Sequence, residues 1–125
     1  MVECYFEENP CDVIALVEES FAWRTIMYAK VKAVFEMLQF PKGSRVLDVG
    51  CGVGFPAITH FFSQIELISI DISKTEVKMA KYYAQKFGKT DNTHYFVADG
   101  LILPFKDDSF HSAFCIATIK LLKKW

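Results

Sequence analysis

The stretch Val46-Leu-Asp-Val-Gly-Cys-Gly-Val-Gly-Phe-Pro constrains the fold of this chain more than any other. A short β-favouring run, Arg45 to Val49, ends directly in three glycines at alternate positions, Gly50, Gly52 and Gly54, and a helical pattern follows from Pro56 to Ser63. Glycine turns sharply at positive φ without steric cost and leaves bare main chain for a ligand to lie against. A strand that passes through such a turn into a helix is the first half of a βαβ unit, and so calls for a parallel sheet with right-handed crossovers.

The rest of the chain keeps that alternation. Glu66 to Asp71 reads as a second strand. Ser73-Lys-Thr-Glu76 is a capping box that opens a helix running to about Phe87 and stopping at Gly88. Thr93 to Ala98 reads as a third strand and Ser112 to Ala117 as a fourth, apolar enough to be buried on both faces. Upstream, Asn9-Pro10 is a helix start, and the pattern stays helical to about Phe40, with a break near Ser20. Met27, Val31, Val34, Phe35 and Leu38 share one face of it. These elements divide the chain into an N-terminal helical segment, 1–43, and a core, 44–125, within one domain.

Composition closes off several function classes. A net charge of -1 supplies no field to draw the chain onto nucleic acid or an anionic membrane, and the basic end (Lys120, Lys123, Lys124) is too short to change this. No apolar stretch reaches the 18 residues or so of a membrane span, and the acidic N-terminus is unlike a signal peptide. The chain therefore reads as cytoplasmic. The four cysteines (Cys4, Cys11, Cys51, Cys115) contain no Cys-x-x-Cys pair, so no metal site is expected. Cys51 and Cys115 read as small core residues, and a Cys4–Cys11 disulfide does not suit a reducing compartment.

Three features decide what the glycine turn accepts. Asp48 lies two residues before Gly50, where a carboxylate would repel a pyrophosphate and attract a cation. Phe55 occupies the place of the last glycine in the dinucleotide pattern G-x-G-x-x-G. Asp71 ends the second strand 17 residues after Gly54, placed to accept from both hydroxyls of a ribose. Together they favour an adenosine ligand without a pyrophosphate.

Val46-Leu-Asp-Val-Gly-Cys-Gly-Val-Gly resembles motif I of the class I S-adenosylmethionine-dependent methyltransferases, and Ile68-Ser-Ile-Asp-Ile-Ser resembles their acidic second motif. Val97-Ala-Asp-Gly, with Leu103-Pro-Phe-Lys-Asp-Asp-Ser-Phe, is similar to the stretch that leads into strand four. The resemblance covers about residues 44–119. It implies an α/β, Rossmann-like parallel sheet in the order 3-2-1-4, with flanking helices and an N-terminal helical segment, and without the family's C-terminal strands.

It also implies S-adenosylmethionine as cofactor. Gly50, Cys51, Gly52, Gly54 and Phe55 would lie along the methionine and ribose, and Asp48 would serve the ammonium, partly through water. Asp71 would hold the ribose, Ile72 would line the adenine, Asp99 with Gly100 would meet its amino group, and Ile116 would border the methionine end. Arg24 and Tyr28 would be pocket residues if the N-terminal helix covers the site; otherwise they are a surface Arg and a core Tyr. Methyl transfer needs positioning rather than acid–base chemistry, so no catalytic residue is named.

The chain ends at Trp125, just after the fourth strand, and His111 stands where the family often has Asp. His111 reads as solvent-facing or locally bonded. An apolar strand-four edge left open invites pairing, so a homodimer through that edge is expected. Phe61, Phe62, Phe105, Phe110 and Phe114 read as core. Three functions stay open: a methyltransferase acting on a small molecule or RNA; a nicotinamide-dependent Rossmann protein, disfavoured by Asp48 and Phe55; and a non-catalytic cofactor-binding or regulatory partner.

Overall fold

The computed structural model describes residues 20–116. The Asn9-Pro10 helix start, the Cys4–Cys11 pair, Ala117 and the lysine-rich end lie outside them. The break expected near Ser20 is a helix start: Ser20 Oγ accepts from Trp23 N at 3.2 Å and opens α1, Phe21–Leu38. α1 ends at Gln39 in the left-handed region, where the Gln39 N–H donates to Phe35 O. Val31 is fully buried, and Trp23, Met27, Val34 and Phe35 pack beside it on the core. Leu38, expected on the same face, is instead exposed at the helix end.

Among the described residues four strands follow: β1 (Arg45–Val49), β2 (Glu66–Asp71), β3 (Thr93–Val97) and β4 (Ser112–Phe114). All pairings are parallel, in the order β3-β2-β1-β4, as the resemblance implied. Side chains alternate between the two faces of the sheet. One face carries Val46, Leu67, Tyr95 and Phe114, and packs on α1 and on α3 (Lys74–Lys86) through Val77, Ala80 and Ala84. The other carries Leu47, Ile68 and Ile70, covered by Ala98, Phe105 and Phe110 from the β3–β4 connection. All five Phe residues expected in the core pack there.

α3 begins with half of its expected capping box: Ser73 Oγ accepts from Glu76 N at 3.2 Å, but the Ser73 N–H donates to Asp71 Oδ1; the helix gives way to Gly88 at φ +67. The helix expected over Pro56 to Ser63 is interrupted. α2 spans only Phe55–Ile58, Thr59 is extended, and a 3₁₀ turn follows at His60–Phe62. Thr59 Oγ1 donates to Pro56 O at 2.7 Å, a side-chain bond that competes with the next helical turn.

β4 is also shorter than expected, stopping at Phe114, and it is not buried on both faces: Phe114 is buried but Ala113 is exposed. Among the described residues β4 pairs only with β1, so Cys115 is exposed rather than core. His111 is exposed and bonded, but to a distant residue. Its Nδ1 accepts from Arg45 N at 2.8 Å and its own N–H donates to Arg45 O at 2.8 Å, aligning β4 on β1. No helix among the described residues is long and apolar enough to cross a membrane.

Gly54 joins the turn to α2 at φ +76, and a Cβ there would lie 3.0 Å from Ala80 Cβ and 3.3 Å from Tyr95 Cε1. Both neighbours are held in the core, and the left-handed conformation alone costs a side chain roughly 1–2 kcal/mol. Gly54→Ala should therefore lower stability by about 2–3 kcal/mol in urea unfolding; an unchanged midpoint would refute the close approach.

Candidate functional site

Because all the described strands are parallel, the carboxyl ends of β1, β2 and β3 gather at one edge, where ligands bind in open α/β sheets. The glycine turn is fastened there. Gly50 N and Cys51 N both donate to Ile70 O at 2.8 Å, and Gly54 N donates to Cys51 O at 2.9 Å. Gly50 and Gly52 both have positive φ, which lets the main chain double back over the end of β2.

Asp71 locks the turn from the other side. Its Oδ2 accepts from Gly52 N and its Oδ1 from Ser73 N, each at 2.9 Å. Each oxygen keeps acceptor capacity beyond that one bond. Asp48 is only 2% exposed, and its Oδ2 has no hydrogen-bond partner among the described residues. Burial, and secondly the Asp71 charge, push its carboxyl up to about 8. Glu76 reaches the same turn, with Oε1 3.6 Å from where a Gly52 Cβ would stand. The buried Cys51 thiol is pushed up by burial and then by Asp48, Asp71 and Glu76. Three acidic side chains thus border a loop of bare backbone, and a positively charged ligand there would favour the ionised form of Asp48 that burial opposes.

Ile72 is 57% exposed directly after β2, offering a flat apolar surface beside the turn. Asp99 follows β3, half-buried, and its Oδ1 accepts from Leu101 N at 2.9 Å. Gly100 packs on the end of β1: a Cβ there would meet Val49 Cγ1 at 2.9 Å. Ile116 is half-buried against the core. The Phe55 side chain is buried edge-on against Trp23, ring centroids 5.5 Å apart, so only its backbone remains at the turn. Arg24 is exposed, and Tyr28, itself 41% exposed, rests its ring on Phe61 and His60.

Sequence reading missed two members of this edge. Glu76 was visible only as a helix-capping residue, although its carboxylate also borders the turn. Ser69 was read only as part of a strand; the one signal was a hydroxyl in the middle of the apolar run Leu67-Ile-Ser-Ile70.

The raised Asp48 carboxyl has a consequence for stability. Between pH 4 and 8 the folded protein keeps a proton that the unfolded chain releases, so stability falls as pH rises through that window. Asp48→Asn removes the buried charge. At pH 9 the variant should be more stable than the parent by on the order of 1–3 kcal/mol, with the difference shrinking toward pH 5. Thermal unfolding across pH checks this, and parallel pH profiles would contradict a buried Asp48 charge.

A family model for a methyltransferase domain matches residues 46–125. The chain is 36% identical over 80 residues to a sterol 24-C-methyltransferase of Pneumocystis carinii, a match covering 62% of this chain and 21% of that protein. The crystal structure of YcgJ from Bacillus subtilis is similar at TM-score 0.64 and 30% identity, covering 70% of this chain and 37% of that one. A SAM-dependent methyltransferase from Geobacter sulfurreducens, crystallised with S-adenosyl-L-homocysteine, gives TM-score 0.60 at 27% identity, covering 71% and 36%. The chain spans about a fifth of the sterol enzyme's length and little more than a third of either crystallised chain. It belongs to the class I S-adenosylmethionine-dependent methyltransferase family.

Proposed function

We propose that this family member is the cofactor-binding core of an S-adenosylmethionine-dependent methyltransferase acting on a small organic acceptor. The observation that carries the reading is the buried, unpartnered Asp48 Oδ2 under a turn of bare glycine backbone. A buried carboxylate without a partner is costly, and a ligand ammonium would relieve it. A dinucleotide would instead bring a pyrophosphate toward that carboxylate, which weighs against a nicotinamide cofactor.

In this reading Asp48 receives the methionine ammonium, partly through water, while Gly50, Cys51, Gly52, Gly54 and the Phe55 backbone line the methionine and ribose. Asp71, already oriented by Gly52 and Ser73, accepts from the ribose hydroxyls. The exposed Ile72 covers the adenine, Asp99 and Gly100 stand at its amino group, and Ile116 borders the methionine end. When bound, the cofactor supplies a methyl group on a sulfonium that needs no further activation. The chain's own residues orient it and hold water off the edge, so no proton-transfer residue is assigned.

The name of the sterol relative supports an apolar small-molecule acceptor. The net charge of -1 offers no attraction for the RNA acceptor left open above. We assign the free edge of β4 to a second copy of the chain, since among the described residues it pairs only with β1.

Calorimetric titration should give micromolar binding of S-adenosylhomocysteine and none of NAD; the reverse preference, or no binding of either, would overturn the reading. Asp71→Ala should weaken S-adenosylhomocysteine by about 1–3 kcal/mol. Unliganded stability is measured alongside, because the same carboxylate holds two backbone amides. Incubation with labelled cofactor should methylate sterol-like acceptors and leave RNA unlabelled. Light scattering at high concentration should report a dimer, and a monomer would remove the β4 assignment.

A further inference from the structure

One row of residues crosses the sheet beneath the glycine turn. Asp48 on β1 pairs in register with Ser69 on β2, and Ser69 pairs with Tyr95 on β3. Side chains of such partners stand on the same face of the sheet, on strands about 4.8 Å apart. Ser69 is completely buried, and its Oγ, like Asp48 Oδ2, has no hydrogen-bond partner among the described residues. Packed interiors leave few such groups unmade, and here two lie side by side.

Among the described residues the backbone donors near Asp48 are committed elsewhere, and the Tyr95 hydroxyl, also unpartnered, stands one strand further away than Ser69. Gly50 N and Cys51 N donate to Ile70 O, Gly52 N to Asp71 Oδ2 and Gly54 N to Cys51 O. Among the described residues, the titratable groups that face this pocket are Asp71 from β2, Glu76 from α3, the Cys51 thiol of the turn and the Tyr95 phenol from β3, and none of these brings a positive charge. The Ser69 hydroxyl swings about χ1 alone, without any backbone change, and it is a donor on the strand directly beside the carboxylate.

We propose that Ser69 is a positioning residue for the cofactor site: its hydroxyl donates to Oδ2 of the ionised Asp48 and fixes the carboxylate that meets the ligand's ammonium. The inference rests on the S-adenosylmethionine reading and names a residue on which that site depends. A hydrogen bond to the ionised form favours it, so loss of the hydroxyl makes the carboxylate harder to ionise and poorer at holding a cation.

Ser69→Ala tests this, with Ser69→Cys as a second variant that keeps the side-chain volume but is a weak donor. Two readouts apply: the titration of the Asp48 carboxyl carbon by ¹³C NMR in the unliganded chain, and S-adenosylhomocysteine affinity from pH 6 to 9. Both variants should move the Asp48 midpoint upward by about half a unit or more and weaken binding near pH 7 roughly tenfold. If Ser69 only fills space, the Cys variant binds like the parent and neither midpoint moves, and the proposal falls. If the parent does not bind S-adenosylhomocysteine but the midpoints still shift, the link from Ser69 to Asp48 stands and the cofactor reading fails. If the parent binds and neither variant changes binding or titration, the cofactor reading stands and Ser69 has no positioning role.

Discussion

Gly50 N and Cys51 N both donate to the carbonyl of Ile70, and the arrangement of the candidate site depends on this pair of hydrogen bonds. It ties the turn after β1 to the end of β2, bringing Asp48 and Asp71, 23 positions apart in sequence, to one edge. Asp71 completes the fastening by accepting from Gly52 on the turn and from Ser73 at the head of α3. One carboxylate therefore sets the path of the turn and the start of the next helix, and still has acceptor capacity for a ligand.

The electrostatics follow from that geometry. Folding places Asp48 under the turn, away from water and next to a second carboxylate, so it keeps its proton up to about pH 8. Glu76, used by α3 as part of its cap, adds a third acidic group to the same edge. The fold thus disfavours the ionised Asp48 that a cationic ligand would favour, a pattern met at binding sites more than in stabilising cores.

The two faces of the sheet are closed by different means. One is packed by helices α1 and α3, the latter brought so close to the turn that a Cβ at position 54 would press on Ala80 and Tyr95. The other is covered, among the described residues, by Phe105 and Phe110 of the β3–β4 connection, whose rings meet edge to face at 5.0 Å. Asp99 and Gly100 lie on that same connection, so the segment that shields the core also carries two residues of the candidate site.

The features legible in the sequence were those set by local chemistry. The bounds of β2, the Ser73–Glu76 cap, the stop at Gly88 and the turn through Gly50, Gly52 and Gly54 each follow from residues within a few positions of one another. The parallel order of the four strands was accessible because the glycine turn and the acidic strand end together identified the family. Local pattern failed where a side chain competed with the backbone or where a partner was distant. Thr59 broke a helix that periodicity extended to Ser63, and Cys115, read as core, stands exposed beyond a strand that ends at Phe114. His111 found its partner 66 residues away at Arg45. By itself the sequence determined a strand–glycine–helix unit with acidic residues at successive strand ends. Only the tertiary structure decided that Asp48 and Ser69 are buried side by side with unmade hydrogen bonds, because burial and cross-strand register arise when separate segments pack, and neither is encoded in any one of them.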